Sequence, residues 1–410
     1  MLNHSPPPWT LFSFAGILFG IAIAPLFFHR AWGKNKNKAL FIFLFCLPTF
    51  FYFGKEFHPL LDSLKEYFSF ICLIGSLFVI SGGIALEGNL KATPLTNVLF
   101  LAIGSVLASL MGTTGASMLL IRPFLKTNSE RQFSWHQVLF FIFTVSNFGG
   151  LLSPLGDPPL FLGYLNGVPF TWTFSLWPAW LLALSILLLI FYLWDCIAYS
   201  KESKTSLQED ESHQVSLRMS GTFNLLLLLG VIASVFLESP LREILMIGLS
   251  ILSFLKTSAK IHQYNQFSFS PILEVAILFA GIFITMTPVL QFLQFHAHEL
   301  QLTQPWQFFW SSGALSSFLD NAPTYLSFFN IAKGLHASGG IAGVPENLLQ
   351  AISIGSVFMG ANSYLGNGPN FMVKAIADEQ GFKTLSFGAY LLMSSLILGP
   401  LYLLMTWMFF

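Results

Sequence analysis

Long apolar runs recur along the whole chain, separated by short polar punctuation. Charge-free stretches fall at 9–28, 39–53, 67–86, 92–121, 138–156 and 169–194. They resume at 221–237, 244–255, 275–292, 300–319, 347–373 and 384–410. A bilayer core of about 30 Å needs about 20 apolar residues as helix. In lipid every backbone polar group must be satisfied internally, so such segments are helical. The pattern predicts an all-α polytopic membrane protein with about 11 transmembrane helices. Three stretches, 92–125, 306–332 and 347–380, are too long for one span and carry internal breakers. They predict a helix, an interruption near mid-membrane, then a further short helix. The one substantial hydrophilic stretch, 199–219, lies near the chain midpoint and predicts a solvated linker between two halves.

Composition agrees. Of 410 residues, 54% are hydrophobic and only 9% charged, against about 25% charged in soluble domains. So few charges cannot cover a water-soluble protein of this size. Net charge is zero, and no basic run points to nucleic acid. Cys46, Cys72 and Cys196 sit in or beside apolar segments, with no CxxC and no Cys/His cluster. A disulfide framework or zinc site is therefore not expected. Nor is a cleaved signal peptide, because residues 1–8 hold no Lys or Arg and the run 9–28 is long enough to span. The loop 29–38 carries Arg30, Lys34, Lys36 and Lys38 without an acid. It is expected on the cytoplasmic side, with the N-terminus outside.

The two halves share a motif. Residues 148–159 read FGGLLSPLGDPP and 358–369 read FMGANSYLGNGP. At an offset of 210, Phe148, Gly150, Ser153, Leu155, Gly156 and Pro159 recur as Phe358, Gly360, Ser363, Leu365, Gly366 and Pro369, and Asp157 aligns with Asn367. Upstream, SLMGTTGAS (109–117) aligns with SFLDNAPTY (317–325) at an offset of 208. Each half thus carries two polar interruptions in the same order. A duplicated unit follows, parallel or inverted according to the number of spans in each half.

Proline disfavours helix at the residue before it and suits the first helical position, with Asp or Asn favoured as cap. A helix is expected to end near Gly149–Leu152, and a new one to start at Pro158 with Asp157 as cap. Asn367, before Gly368-Pro369, is placed to do the same. Such breaks are costly in lipid unless they line a cavity, where their free N–H and C=O groups bind ions and polar solutes. Asp157 and Asp320 lie deep in otherwise uncharged runs. A carboxylate there costs about 2.5–3.5 kcal/mol on insertion scales. Burial favours its protonated form, so each acid is a candidate for binding a proton or a cation in turn. The structural alternative for each is an N-cap with no ion role. Glu274 precedes the run 275–292 and is a candidate accessory acid or a membrane-edge residue. The nine histidines lie at segment ends or in loops, so proton traffic is assigned to the carboxylates.

SLMGTTGASMLLIRP, SNFGGLLSPLGDPP, EVAILFAGIFITM, SSFLDNAPTYLSFFN and GANSYLGNGPNFMVKAIA resemble the NhaD-type sodium/proton antiporters of the ion transporter superfamily. Within it, the similarity is to a bacterial group labelled sodium:proton antiporter or citrate transporter. It covers the chain from about Tyr67 to the C-terminus. The resemblance implies two inverted repeats with re-entrant hairpins and broken helices, a homodimer, an elevator-like motion and a bacterial inner-membrane location. It implies a division into N-terminal scaffold helices (1–66), a first repeat (67–198) with hairpin 106–125 and broken helix 138–167, the linker, and a second repeat (220–410) with hairpin 307–332 and broken helix 347–380. It carries the ion-binding acids onto Asp157 and Asp320, with Asn147 and Asn321 at matching polar positions. One departure stands out: Gly112-Thr113-Thr114 replaces the antiporters' Asp-Asn pair.

Two transport functions follow. In Na⁺/H⁺ antiport, Asp157 and Asp320 would bind Na⁺ (or Li⁺) and protons alternately, with Thr113, Thr114, Ser153, Asn321 and Asn367 supplying neutral oxygens suited to a hard cation. In cation-coupled uptake of citrate or a dicarboxylate, helix N-termini at the breaks would hold the substrate, with Asn362, Ser363 and Thr324 as candidate contacts. The fixed carboxylates favour the first. No cofactor and no enzymatic reaction is expected. An aspartyl-protease dyad fits poorly, because Asp320 sits in Leu-Asp-Asn and no Pro-Ala-Leu occurs.

Overall fold

The computed structural model describes residues 5–54, 57–335 and 339–410. Of the nine histidines, His4 and His336 lie outside the described residues. The chain opens with α1 (Thr10–Phe27), the short α2 (His29–Trp32) and α3 (Asn35–Phe53). A first group follows: α4 (His58–Gly82), strand β1 (Ala85–Asn89), α5 (Pro94–Met111), α6 (Thr113–Thr127), α7 (Trp135–Thr144), α8 (Pro158–Leu165) and α9 (Trp177–Tyr199). The middle holds α10 (Lys204–Ser212), β2 (Val215–Ser220), α11 (Phe223–Ser234), α12 (Leu241–Lys256) and α13 (Ala259–Tyr264). The last group is α14 (Ser270–Phe295), α15 (Pro305–Ser316), α16 (Asn321–Gly334), α17 (Glu346–Met359), α18 (Gly368–Glu379) and α19 (Phe387–Phe409).

This is an all-α multi-pass membrane protein. Seven helices among the described residues are long and apolar enough to cross a bilayer, and two shorter apolar helices, Thr10–Ala24 and Phe223–Ser234, accompany them. The rest of the apolar sequence is divided into shorter pieces at the breakers, which is why the expected eleven spans are not eleven unbroken helices. Aromatic and aliphatic side chains point outward along the long helices: Phe51, Leu99, Leu189, Leu403 and Trp407 are all exposed. In water that surface would be unfavourable, but lipid needs no polar cover.

The interruptions arise from local chemistry. Gly112 joins α5 to α6 with φ +83°, a conformation that disfavours side chains with a Cβ. After α7 the chain passes through one short 3₁₀ turn (Phe148–Leu152), and after α17 through another (Gly360–Asn362). A Cβ at Gly156 would lie 2.2 Å from the Gly150 carbonyl oxygen, and one at Gly366 would lie 2.5 Å from that of Gly360. Only glycine allows these backbones to cross so closely.

The linker is more ordered than the sequence pattern predicts. α10 occupies its centre, and β2 pairs antiparallel with β1, with Glu87 opposite Arg218. Two of its acids find buried partners. Glu202 accepts from the backbone N–H of Gln132 and of Phe133, each at 3.0 Å. Asp210 accepts from Ala92 N–H at 3.1 Å, and burial raises its carboxyl above its ordinary value. A charged loop remains solvated only when nothing across the fold offers it donors.

Candidate ion-binding site

Asp157 sits where α8 begins, with extended backbone (φ −141°, ψ 142°), but its side chain makes no cap bond. The capping role expected from the sequence is thus corrected, and the reason lies in the next two residues. An N-cap oxygen takes its hydrogen bond from the second or third helical N–H. Pro159 occupies the second position and has none, and the third N–H, of Leu160, goes to the Asp157 backbone carbonyl at 3.1 Å. The carboxylate turns instead into the protein, where it is 1% exposed. Its Oδ1 accepts from Thr113 Oγ1 at 3.0 Å and from Asn367 Nδ2 at 3.1 Å. Its Oδ2 accepts from Asn321 Nδ2. Three neutral donors, from α6, α16 and the turn before α18, converge on one acid from both halves of the chain. No Lys or Arg among the described residues forms an ion pair with it. Asn321 Oδ1 is buried beside it and accepts no hydrogen bond. A cavity of about 50 Å³ adjoins the carboxylate, lined by Leu73, Leu77, Phe78, Thr113, Thr114 and Asp157 among others.

The aligned motifs make the same bonds. Ser153 Oγ donates to Ser109 O, and Ser363 Oγ donates to Ser317 O. Each of these serines then accepts from the N–H two residues on: Leu155 at 3.1 Å and Leu365 at 3.0 Å. Ser109 Oγ donates to Gly149 O, and Ser317 Oγ to Met359 O. The rings of Phe148 and Phe358 stack on each other at 3.9 Å. Equivalent residues touch in this way where two related units meet face to face. Asn367 has the backbone of Asp157 (φ −150°, ψ 140°) and likewise makes no cap bond. The two differ in that one carries a charge and the other an amide that reaches it.

The remaining candidates divide. Asn147 joins the cluster: its Nδ2 donates to Asn370 Oδ1 at 2.7 Å, and its Oδ1 accepts from Asn367 at 3.3 Å. Thr114 lines the cavity. Asp320 caps α16 by accepting from Ala322 N–H at 3.0 Å, and Thr324 Oγ1 donates to the Asp320 carbonyl. No hydrogen bond links Asp320 to Asp157. Asn362 is bound to Ser317 Oγ at 2.8 Å and to Tyr402 OH at 3.0 Å. Glu274 lies apart from the cluster and pairs with Lys38 of α3 at 2.6 Å.

A family model described as "Putative citrate transport" matches residues 3–410. The chain belongs to that family. A comparison with curated proteins returns no match. A multi-pass membrane protein of this family is a secondary transporter.

Two features of the transporter escape the sequence pattern. Asn370, one turn into α18 from Asn367, donates to the carbonyls of Gly360 and Ser363, each at 2.9 Å, and so braces the second break. Its spacing of three from Asn367 in an apolar run was the available signal. The other feature is a second buried polar cluster. Arg131 reaches Asp195 at 2.9 Å, Glu202 at 3.0 Å and Ala92 O at 3.0 Å. His136 Nε2 and Asn97 Nδ2 also bond Asp195, each at 2.9 Å. His136 stands at a segment end, as its position predicts, yet it is fully buried. Nothing local in the sequence pairs residues 64 positions apart.

Proposed function

We propose that this transporter is a Na⁺/H⁺ antiporter in which Asp157 binds a cation and protons alternately. The observation that carries the reading is a lone buried carboxylate, ringed by neutral groups and lacking a fixed countercharge. Such a charge is costly until something neutral or positive joins it. A proton can do so, and so can Na⁺ or Li⁺. Rotation of the Asn321 and Asn367 amides turns oxygens toward the carboxylate, and Thr113 offers a hydroxyl. That set suits a hard cation. Asp320, at the second hairpin tip, is the second acid of the site, with Thr114, Ser153 and Asn147 in its surround.

The matched bonds of the two halves support inverted repeats related across the Phe148–Phe358 contact. Alternating access then follows from motion of the hairpins and broken helices against the N-terminal helices, in an elevator-like manner within a homodimer. A bacterial inner membrane is the expected setting, and transport rather than catalysis the task.

Citrate or dicarboxylate uptake coupled to Na⁺ or H⁺ is the second reading, favoured by the family's description. Asn362, Ser363 and Thr324 would then face the substrate. Against it, the cavity beside Asp157 is about 50 Å³, whereas pockets for organic ligands run to roughly 300 Å³ or more.

The test is flux in liposomes with a pH-sensitive dye inside and an imposed proton gradient. Na⁺ or Li⁺ alone should dissipate the gradient, and Asp157→Asn and Asp320→Asn should each stop it. Labelled citrate entering in a Na⁺- or H⁺-dependent way, with no proton movement on cation addition, would replace antiport with anion uptake.

A further inference from the structure

The N-terminal helices form a second site of different chemistry. α1 and α3 pack closely because Gly16 and Gly20 leave room for the rings of Phe45 and Phe41, where a Cβ would lie within 2.2 Å of either ring. Beside this contact runs an open groove of about 420 Å³, lined by Phe19, Ile23, Phe28, Ala31, Trp32 and Phe41 among others. Its lining is almost wholly apolar. From Phe19 to Phe28 it follows the last turns of α1, then reaches the turn at α2. Trp32 closes its inner wall, packed edge-on against Phe41 at 5.5 Å.

The segment that supplies one end of the groove's lining is basic in sequence. The turn holds Arg30, Lys34, Lys36 and Lys38, and no Asp or Glu occurs in residues 1–55. Lys38 turns inward to Glu274, with its side chain 4% exposed. Arg30, Lys34 and Lys36 are exposed, and no described carboxylate pairs with them. An apolar slot whose lining residues Phe28, Ala31, Trp32 and Asn37 are interleaved in sequence with three exposed cations that no described carboxylate pairs matches one kind of molecule: an acyl chain bearing an anionic head. We propose that this groove holds one chain of an anionic glycerophospholipid whose phosphate sits among Arg30, Lys34 and Lys36. Basic residues at a membrane surface attract acidic headgroups. Here the groove adds shape, so that the lipid is held at one place instead of drawn diffusely to the surface. The site is independent of which ion or anion the transporter moves.

The experiment uses purified full-length protein and two photo-reactive lipids with identical chains, phosphatidylglycerol and phosphatidylcholine, each carrying a diazirine at mid-chain. Irradiation and peptide mapping should place phosphatidylglycerol on residues 19–41, about fivefold or more above phosphatidylcholine. The triple change Arg30→Gln, Lys34→Gln, Lys36→Gln should reduce phosphatidylglycerol labelling there to the phosphatidylcholine level. Ala31→Trp, which fills the groove without altering charge, should lower labelling by both lipids several-fold. Equal labelling by the two lipids in the unaltered protein would overturn the proposal. So would undiminished labelling in Ala31→Trp, which would mean surface charge alone. Competition by glycerol 3-phosphate as effective as that by unlabelled phosphatidylglycerol would also overturn it, in favour of a site for soluble phosphate.

Discussion

Two buried polar clusters are centred on acids of the first half of this transporter, and they are built on opposite terms. Around Asp195 every acid meets a cation: Arg131 bridges Asp195 and Glu202, and His136 and Asn97 complete the shell. Around Asp157 only neutral groups converge, one of which keeps an idle acceptor beside a small cavity. A buried charge with a fixed partner holds a structure together but has nothing to exchange. A buried charge without one must take its partner from solution. The first cluster therefore reads as a clamp between α5, α7, α9 and the linker; the second is what the antiport proposal takes as a site for a mobile ion.

The same substitution in both places separates the two roles. Asp157→Asn should abolish cation-driven proton movement while leaving the melting temperature in detergent unchanged or slightly raised, because a desolvated charge has been removed. A protein that instead unfolds would make Asp157 part of a clamp. Asp195→Asn should do the reverse and cost about 3 kcal/mol of stability, since Arg131 keeps Glu202 but loses one of its two buried carboxylate partners. The surviving folded fraction should keep the cation dependence of the parent. A changed half-saturating Na⁺ concentration in that variant would show that the clamp also tunes the site.

A smaller effect is expected at Thr113. Its hydroxyl is a bond to a charged group, worth about 1.5–3 kcal/mol. Thr113→Val should raise the half-saturating cation concentration roughly tenfold with little change in maximal rate. No change would remove Thr113 from the ligand set. The smallest effects test the internal symmetry. Ser153→Ala and Ser363→Ala each free one backbone carbonyl and one N–H from a hydroxyl, at a cost of about 1–2 kcal/mol. The two thermal shifts should be alike. Unequal shifts would show that one break is braced by more than its serine, and Asn370 makes the second half the candidate for that.

Much of the architecture is local in origin and so is legible in the chain. The scarcity of charge, the long apolar runs, and the Gly and Pro residues at 112, 156, 158, 159 and 366 act over a turn or two of backbone. They specify a membrane protein with interrupted helices, and one motif recurs at an offset of 210 with the same hydrogen bonds in both places. Local rules also mislead where a distant group intervenes. Asp157 occupies a cap position but caps nothing, because Pro159 removes the donor and Asn321 and Asn367 supply better ones. Two of the linker's acids, Glu202 and Asp210, look solvated but are claimed by Arg131, Ala92 and the backbone at Gln132 and Phe133. Lys38 looks like one of four surface cations but turns in to Glu274.

Hydropathy and breaker chemistry, which depend on neighbours in sequence, determined that the chain spans a membrane and about where its helices break. Tertiary packing alone decided which donor meets which acid, because Asn321 and Asn367 reach Asp157 across 164 and 210 positions of chain. Contacts at that range are selected by the close fit of the two halves, which no window of sequence contains.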